Sequence, residues 1–287
     1  MSELEHAEAI DRVRREVDEV LARFLADRRA ELAGLDPEAT LLVDEIVRVV
    51  QAGGKRIRPS LCVWAFRAAG GAQDDDRILR AGASIELLHT SALVHDDVMD
   101  RDVERRGEPA THVRFAKEAP VAVDPDGFGT AAAVLVGDLA LVLSERLIRT
   151  CGYGGARLDA AMRRYDRMRM EMAAGQYLDV SGSERRQRVR ALKTASYTAE
   201  GPVLIAAALA GADADAEGAL GVFGRLVGEA FQLRDDAIDE APGSAPGSEI
   251  NDLLSRAVRA LEGAPLRPEG AGALRAIAMA LRMDPAG

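Results

Sequence analysis

Aromatic residues, cysteine, lysine and net positive charge are all scarce in this sequence. Phe, Trp and Tyr make up 4% of the chain, too few for the aromatic and β-branched strands of a large sheet. Two cysteines occur, Cys62 and Cys151. They lie far apart and match no metal-ligand spacing, which excludes a zinc ribbon or a disulfide scaffold. Two reduced thiols in a cytoplasmic protein are expected instead. The formal net charge is −10, which disfavours nucleic acid as a partner because phosphate-backbone binding calls for a basic face. Residues 1–15 are charged throughout and carry no apolar signal region. The most apolar stretch, residues 131–143, is interrupted by Asp138 and is too short to cross a bilayer. No membrane span is therefore expected. No Ser/His/Asp or Cys/His constellation offers a protein nucleophile.

Helix-forming residues fill the space left by these absences. The 287 residues are 48% apolar, enough for one domain with a large core. Ala, Leu, Val and Arg dominate, a mix that favours helices over sheets. Helical periodicity predicts helices over residues 7–33, 37–51, 59–69, 77–100, 129–150, 158–177, 188–197, 202–210 and 219–236. No segment alternates over a strand length. Gly and Pro fall mostly between these segments, where helix stops belong. Residues 118–128 read as a loop, and the Gly- and Pro-rich residues 240–248 and 263–272 read as a mobile or frayed C-terminal end.

Two acidic figures share one spacing. Asp96, Asp97 and Asp100 end one apolar helix, and Asp235, Asp236 and Asp239 end another. In each, the first and last carboxylates stand at i and i+4 on one helix face, where like charges repel unless a cation joins them. Mg²⁺ takes one or two carboxylates and completes its shell with water and phosphate. A single cluster reads equally well as a solvated helix end. Two of identical spacing point to a metal-held diphosphate.

Three short basic segments accompany them. Gly53-Gly54-Lys55-Arg56-Ile57-Arg58-Pro59 sets three cations at a Gly-rich break before a helix, suited to an anion. It also reads as a capping turn with solvated arginines. Arg105-Arg106-Gly107 reads as a surface pair, and Lys193-Thr194 as part of a helix surface. The chain has only three lysines, Lys55, Lys117 and Lys193, and two of them fall in these segments.

In this order and at these distances, Gly54-Lys55-Arg56-Ile57-Arg58-Pro59, Leu87-Leu88-His89, His95 to Asp100, Arg105-Arg106-Gly107, Gly137-Asp138-Leu139-Ala140-Leu141, Gly175-Gln176, Lys193-Thr194 and Phe231 to Asp236 resemble the trans-polyprenyl-diphosphate synthases, over residues 41–239. The resemblance implies an all-α bundle around a deep central cavity, as a homodimer, with residues 240–287 divergent. It implies that Asp96, Asp100 and Asp235, assisted by Asp97, Asp236 and Asp239, hold Mg²⁺, three ions in all. Arg105, Lys193 and Gln232 would bind the allylic diphosphate. Lys55, Arg58, His89 and Arg106 would bind isopentenyl diphosphate, and Thr194 would lie beside the reacting carbons. His95 and His112 are read as packing residues.

The implied chemistry is ionisation of the allylic C–O bond, attack by the isopentenyl double bond, and loss of a proton to the released diphosphate. A dry cavity protects the allyl cation. Ser91 and Ala92, one turn deeper than Asp96, are small where the family places a bulky aromatic to stop growth at fifteen carbons. The next turn offers Leu88, then Ile85 and Ser84. A twenty-carbon product, geranylgeranyl diphosphate, or a longer one is expected. The sequence departs from the family after Asp239, where residues 240–252 contain no Lys or Arg and the next cations are Arg256 and Arg259. Two rival readings remain. One is a class I terpene cyclase, disfavoured by the basic segments that would hold a second diphosphate. The other is a non-catalytic regulatory subunit, disfavoured by the intact aspartates.

Overall fold

The computed structural model describes residues 3–120, 123–182, 191–239 and 247–283. It is all-α apart from one small hairpin. The helices are α1 (Glu3–Ala33), α2 (Thr40–Gln51), α3 (Ile57–Ala68), α4 (Arg77–Asp100), α5 (Thr111–Lys117), α6 (Pro125–Arg149), α7 (Gly155–Val180), α8 (Ala191–Glu200), α9 (Gly201–Ala210), α10 (Ala214–Asp239), α11 (Gly247–Ala260) and α12 (Pro268–Met279). A 3₁₀ turn, Pro37–Ala39, precedes α2, and α8 is wound as a π-helix. The chain forms two compact units, each with its own packing. Unit one comprises residues 1–14, 57–82 and 151–287, and unit two comprises residues 15–56 and 83–150.

Unit one is built around α3. Ten of its twelve residues are buried, including Leu61, Cys62, Trp64 and Phe66, as expected of a helix that is apolar all round. It packs against the Ala-rich α9 and against α12. Here the structure corrects the expectation of a frayed C-terminus. Residues 268–279 are helical, and Gly270 lets α12 approach so closely that an added Cβ would lie 2.3 Å from the Ala68 nitrogen. The Arg267 N–H donates to the Ala68 carbonyl at 2.8 Å. α11 is likewise regular, with Ile250, Leu253, Leu254 and Ala257 buried along one face. α10 packs against α8, α9 and α11, and Gly224 clears the backbone of Glu200 at the end of α8.

Unit two packs α5 and α2 against α6. α6 starts at Pro125, inside the segment read as a loop, because the Asp124 side chain caps the Gly127 N–H at 3.0 Å and Pro125 occupies the first turn. At 25 residues it is also longer than the apolar run read from the sequence, and it is long and apolar enough to cross a membrane by length and composition. α4 and α6 are tied by two reciprocal bonds: Ser84 Oγ donates to the Ser144 carbonyl at 2.9 Å, and Ser144 Oγ to the Ser84 carbonyl at 2.6 Å. Glu45, buried on α2, accepts from Arg48 at 2.6 Å, from Arg114 at 2.7 Å and from Thr111 at 2.8 Å. Arg48 also donates to the Pro109 carbonyl. This anchors the hairpin β1 (Glu104–Arg105) and β2 (Glu108–Pro109), which the sequence does not announce because each strand is only two residues long.

Candidate active site

In unit two, the last turn of α4 carries the first acidic motif. Its three carboxylates are unequally placed. Asp96 is half-buried and Asp100 exposed, whereas Asp97 is only 3% exposed. Arg105 Nε donates to Asp97 Oδ1, and Arg105 Nη2 to Asp102 Oδ2 at 3.2 Å. Burial pushes the Asp97 carboxyl above its ordinary value, while the guanidinium draws it back. Asp97 therefore ties the helix end to the hairpin, and Asp96 and Asp100 are the accessible pair.

The hairpin turn explains where Arg106 goes. Arg106 and Gly107 both have positive φ, 57° and 80°, the pattern of a two-residue primed turn. This turn swings Arg106 onto the Gly53-Gly54 loop, where its Nη1 donates to the Gly53 carbonyl. A Cβ on Gly54 would sit 3.4 Å from both the Arg106 and the Arg56 guanidinium nitrogens. Two basic segments distant in sequence thus share one place. Lys55 stands exposed beside them, with no hydrogen-bond or ion-pair partner among the described residues. Arg56 corrects the reading of three anion-facing cations. It is buried and spent on Asp18 at 2.8 Å, Glu86 at 2.7 Å and the Val50 carbonyl at 2.6 Å.

Further back on α4, His89, Ser91 and Leu88 are buried and Ala92 is partly accessible. Ser84 faces α6 through its bonds to Ser144 rather than adding to a cavity wall. His95 also packs against α6, with Nε2 at 3.3 Å from the Val134 carbonyl and 3.6 Å from Asp138. A Cβ on Gly137 would lie 2.2 Å from that nitrogen, which gives the Gly137-Asp138 segment a packing role. His112 sits half-buried on α5.

In unit one, Arg58 is 8% exposed and pairs with no carboxylate among the described residues. Its Nη2 donates to Thr198 Oγ1 at 2.9 Å, and its guanidinium carbon lies 4.5 Å from the Tyr197 ring centroid and 5.8 Å from that of Phe231. Sequence reasoning missed Tyr197 and Thr198. The available signal was the scarcity of aromatics, two of which stack on one arginine. Tyr197 and Thr198 sit on the π-wound α8, and Phe231 comes from α10. On α10, Gln232 donates to Asp236 Oδ1 at 2.6 Å, one turn on, and Asp235 is half-buried. The side chains of Lys193, Thr194 and Asp239, and residues 240–246, lie outside the described residues. Arg256 is exposed on α11, 3.6 Å from Asp252, and Arg259 is exposed on the same helix.

The family profile described as Polyprenyl synthetase matches residues 40–248. A short chain isoprenyl diphosphate synthase of Methanothermobacter thermautotrophicus is 32% identical over 86% of this chain and 76% of that protein. A geranylgeranyl diphosphate synthase of Methanosarcina mazei is 32% identical over 70% of this chain and 61% of that protein, so the match spans about three fifths of the latter. A geranylgeranyl pyrophosphate synthase of Corynebacterium glutamicum, solved with isoprenyl diphosphate and magnesium, superposes with a TM-score of 0.85 at 25% identity, covering 95% of this chain and 99% of that one. The chain belongs to the polyprenyl synthetase family and is a prenyltransferase built on its all-α fold.

Proposed function

We propose that this prenyltransferase condenses isopentenyl diphosphate with an allylic diphosphate in a magnesium-dependent ionisation and condensation, giving geranylgeranyl diphosphate or a longer product. The observation that carries this reading is Arg58. A buried guanidinium costs several kcal/mol of desolvation unless an anion joins it, and the described protein supplies only a hydroxyl and two aromatic faces. The missing anion is assigned to isopentenyl diphosphate. Lys55 and Arg106, at the Gly53-Gly54 loop, supply two further cations for the same substrate, and His89 joins them. Arg105, Lys193 and Gln232 hold the allylic diphosphate, with Thr194 beside the reacting carbons.

The carboxylates fit a hard cation. They are oxygen donors at a helix end, accessible enough at Asp96 and Asp100 to leave coordination positions for water and phosphate, as Mg²⁺ requires. Asp96, Asp100 and Asp235 would hold three ions, with Asp97, Asp236 and Asp239 assisting. Bound Mg²⁺ would supply charge neutralisation on the departing diphosphate. Within the chain, Arg105 fixes Asp97, and Gln232 fixes Asp236, so each acidic motif is oriented by a residue of the same reading. The apolar body of α4 keeps water from the growing chain. Ser91 and Ala92 leave room on that helix for a chain longer than fifteen carbons.

A homodimer in the cytoplasm, without a membrane span, completes the reading. The outer face of α6 exposes Val134, Leu135 and Val142 at 41%, 56% and 62%, an apolar surface that a second copy would cover. Light scattering on the purified chain reads its mass directly.

The decisive assay incubates the chain with isopentenyl diphosphate, farnesyl diphosphate and Mg²⁺, then follows diphosphate release and separates the products. Release that requires isopentenyl diphosphate, with a twenty-carbon or longer product, is expected. Release without it would identify a cyclase. No release, with farnesyl diphosphate returned unchanged, would leave a non-catalytic subunit.

A further inference from the structure

Unit one contains a cleft of about 570 Å³ between α7, α9 and α10 that includes none of the active-site residues above. Arg157, Arg163, Arg164 and Arg167 line it from α7. Its floor is largely alanine, so small side chains keep the space open. Glu217 is the one carboxylate in the lining, and Arg164 already takes it. Arg167 is engaged by Glu171 at 2.8 Å. Arg157 and Arg163 have no hydrogen-bond or ion-pair partner among the described residues.

A packing role does not absorb these arginines. Arg157 lies over the left-handed Gly211 that ends α9, with its Nε 2.9 Å from where a Cβ would stand. A cation there ordinarily serves the last carbonyls of a helix. Two of those carbonyls already accept backbone bonds: Gly211 N–H donates to Ala208 at 3.1 Å and Ala212 N–H to Ala207 at 3.0 Å. In a chain of net charge −10, the lining holds four guanidiniums against one carboxylate. The planar fork of arginine matches phosphate oxygens in pairs.

We propose that this cleft is a second anion site, taking a phosphate-bearing group through Arg157 and Arg163 without a divalent metal. Free diphosphate and a lipid headgroup present the same chemistry. The test titrates inorganic diphosphate into the full chain by calorimetry in the presence of EDTA, which silences metal-dependent binding. In parallel, the chain is sedimented with phosphatidylglycerol vesicles. Because inorganic diphosphate also enters the isopentenyl diphosphate site without a metal, every protein compared carries Lys55→Gln and Arg58→Met; on that background an added Arg157→Gln/Arg163→Gln pair is expected to bind about 10- to 100-fold more weakly. Ala160→Phe, which fills the floor and leaves every arginine in place, should weaken binding in the same way. Diphosphate binding alone assigns a free anion, and vesicle binding alone assigns a headgroup. The proposal is overturned if neither probe binds the Lys55→Gln/Arg58→Met background protein, or if adding the Arg157→Gln/Arg163→Gln pair or Ala160→Phe to that background leaves binding unchanged.

Discussion

Replacing Arg58 by methionine separates what this residue does for the fold from what it does for the substrate. The change removes one hydrogen bond to Thr198 and the stacking on Tyr197 and Phe231. Leaving the Thr198 hydroxyl without its donor costs about 1 kcal/mol, and removing each cation–π interaction costs about 0.5–2 kcal/mol. Against this stands relief of a buried guanidinium that has no carboxylate within the described protein, worth several kcal/mol by order of magnitude (~3). Methionine also restores sulfur–aromatic contacts of about 0.3–1.5 kcal/mol. The ligand-free protein should therefore melt at the same temperature or a few degrees higher. Binding should move the opposite way. Loss of a charge-assisted hydrogen bond to phosphate costs about 1.5–3 kcal/mol, which raises KM for isopentenyl diphosphate about 10- to 150-fold. Thermal melting of the free protein and steady-state kinetics with isopentenyl diphosphate varied read the two effects. A melting temperature lowered by more than about 5 °C, with KM unchanged, would show that Arg58 serves packing and would remove the main support for the substrate assignment.

Ala92→Phe places an aromatic on the one partly accessible small residue behind Asp96. The product should shorten by at least one five-carbon unit, and an unchanged product on chromatography would dissociate this helix face from chain length. Gly270→Ala drives a Cβ into the Ala68 backbone, at 2.3 Å from its nitrogen and 2.6 Å from its Cα. A loss of about 1–3 kcal/mol is expected in denaturant unfolding, because neither helix has a flexible atom there to yield. Burial raises the Glu200 carboxyl above its ordinary value, with Arg225 opposing. Its ionised form therefore weighs against the fold above the folded pKa, and the penalty fades as pH falls through that value. Glu200→Gln should melt higher than wild type at pH 7, with the gap closing toward acid. A gap independent of pH would refute the assignment.

The sequence rendered the helices that are regular in both pattern and punctuation. α4 was legible at both ends because an apolar run leads without a break into the acidic motif. α12 was not, because Gly270 and Gly272 resemble loop residues until Ala68 is known to lie against the helix. A close backbone approach is a tertiary fact with no local signature. The same holds at the site. Arg56 and Arg58 stand two residues apart in one basic segment, yet one is spent on Asp18 and Glu86 and the other on a hydroxyl and two rings. What separates them is which face of the turn each occupies, set by the positive φ of 46° at Arg56. Asp97 is buried for a similar reason, since Arg105 of the hairpin that Glu45 and Arg48 anchor holds it.

The contact between His95 and Gly137 gives α4 something like a key seated in a keyway. An α-helix turns about 100° per residue, so fixing the azimuth of His95 fixes that of Asp96 beside it. The imidazole fills a notch that exists only because residue 137 has no side chain. The aim of the first carboxylate is thus set from about 100° round its own helix, by a residue that need never meet the substrate. A methyl group added at position 137 would push the imidazole out of that notch and release the azimuth it sets for Asp96.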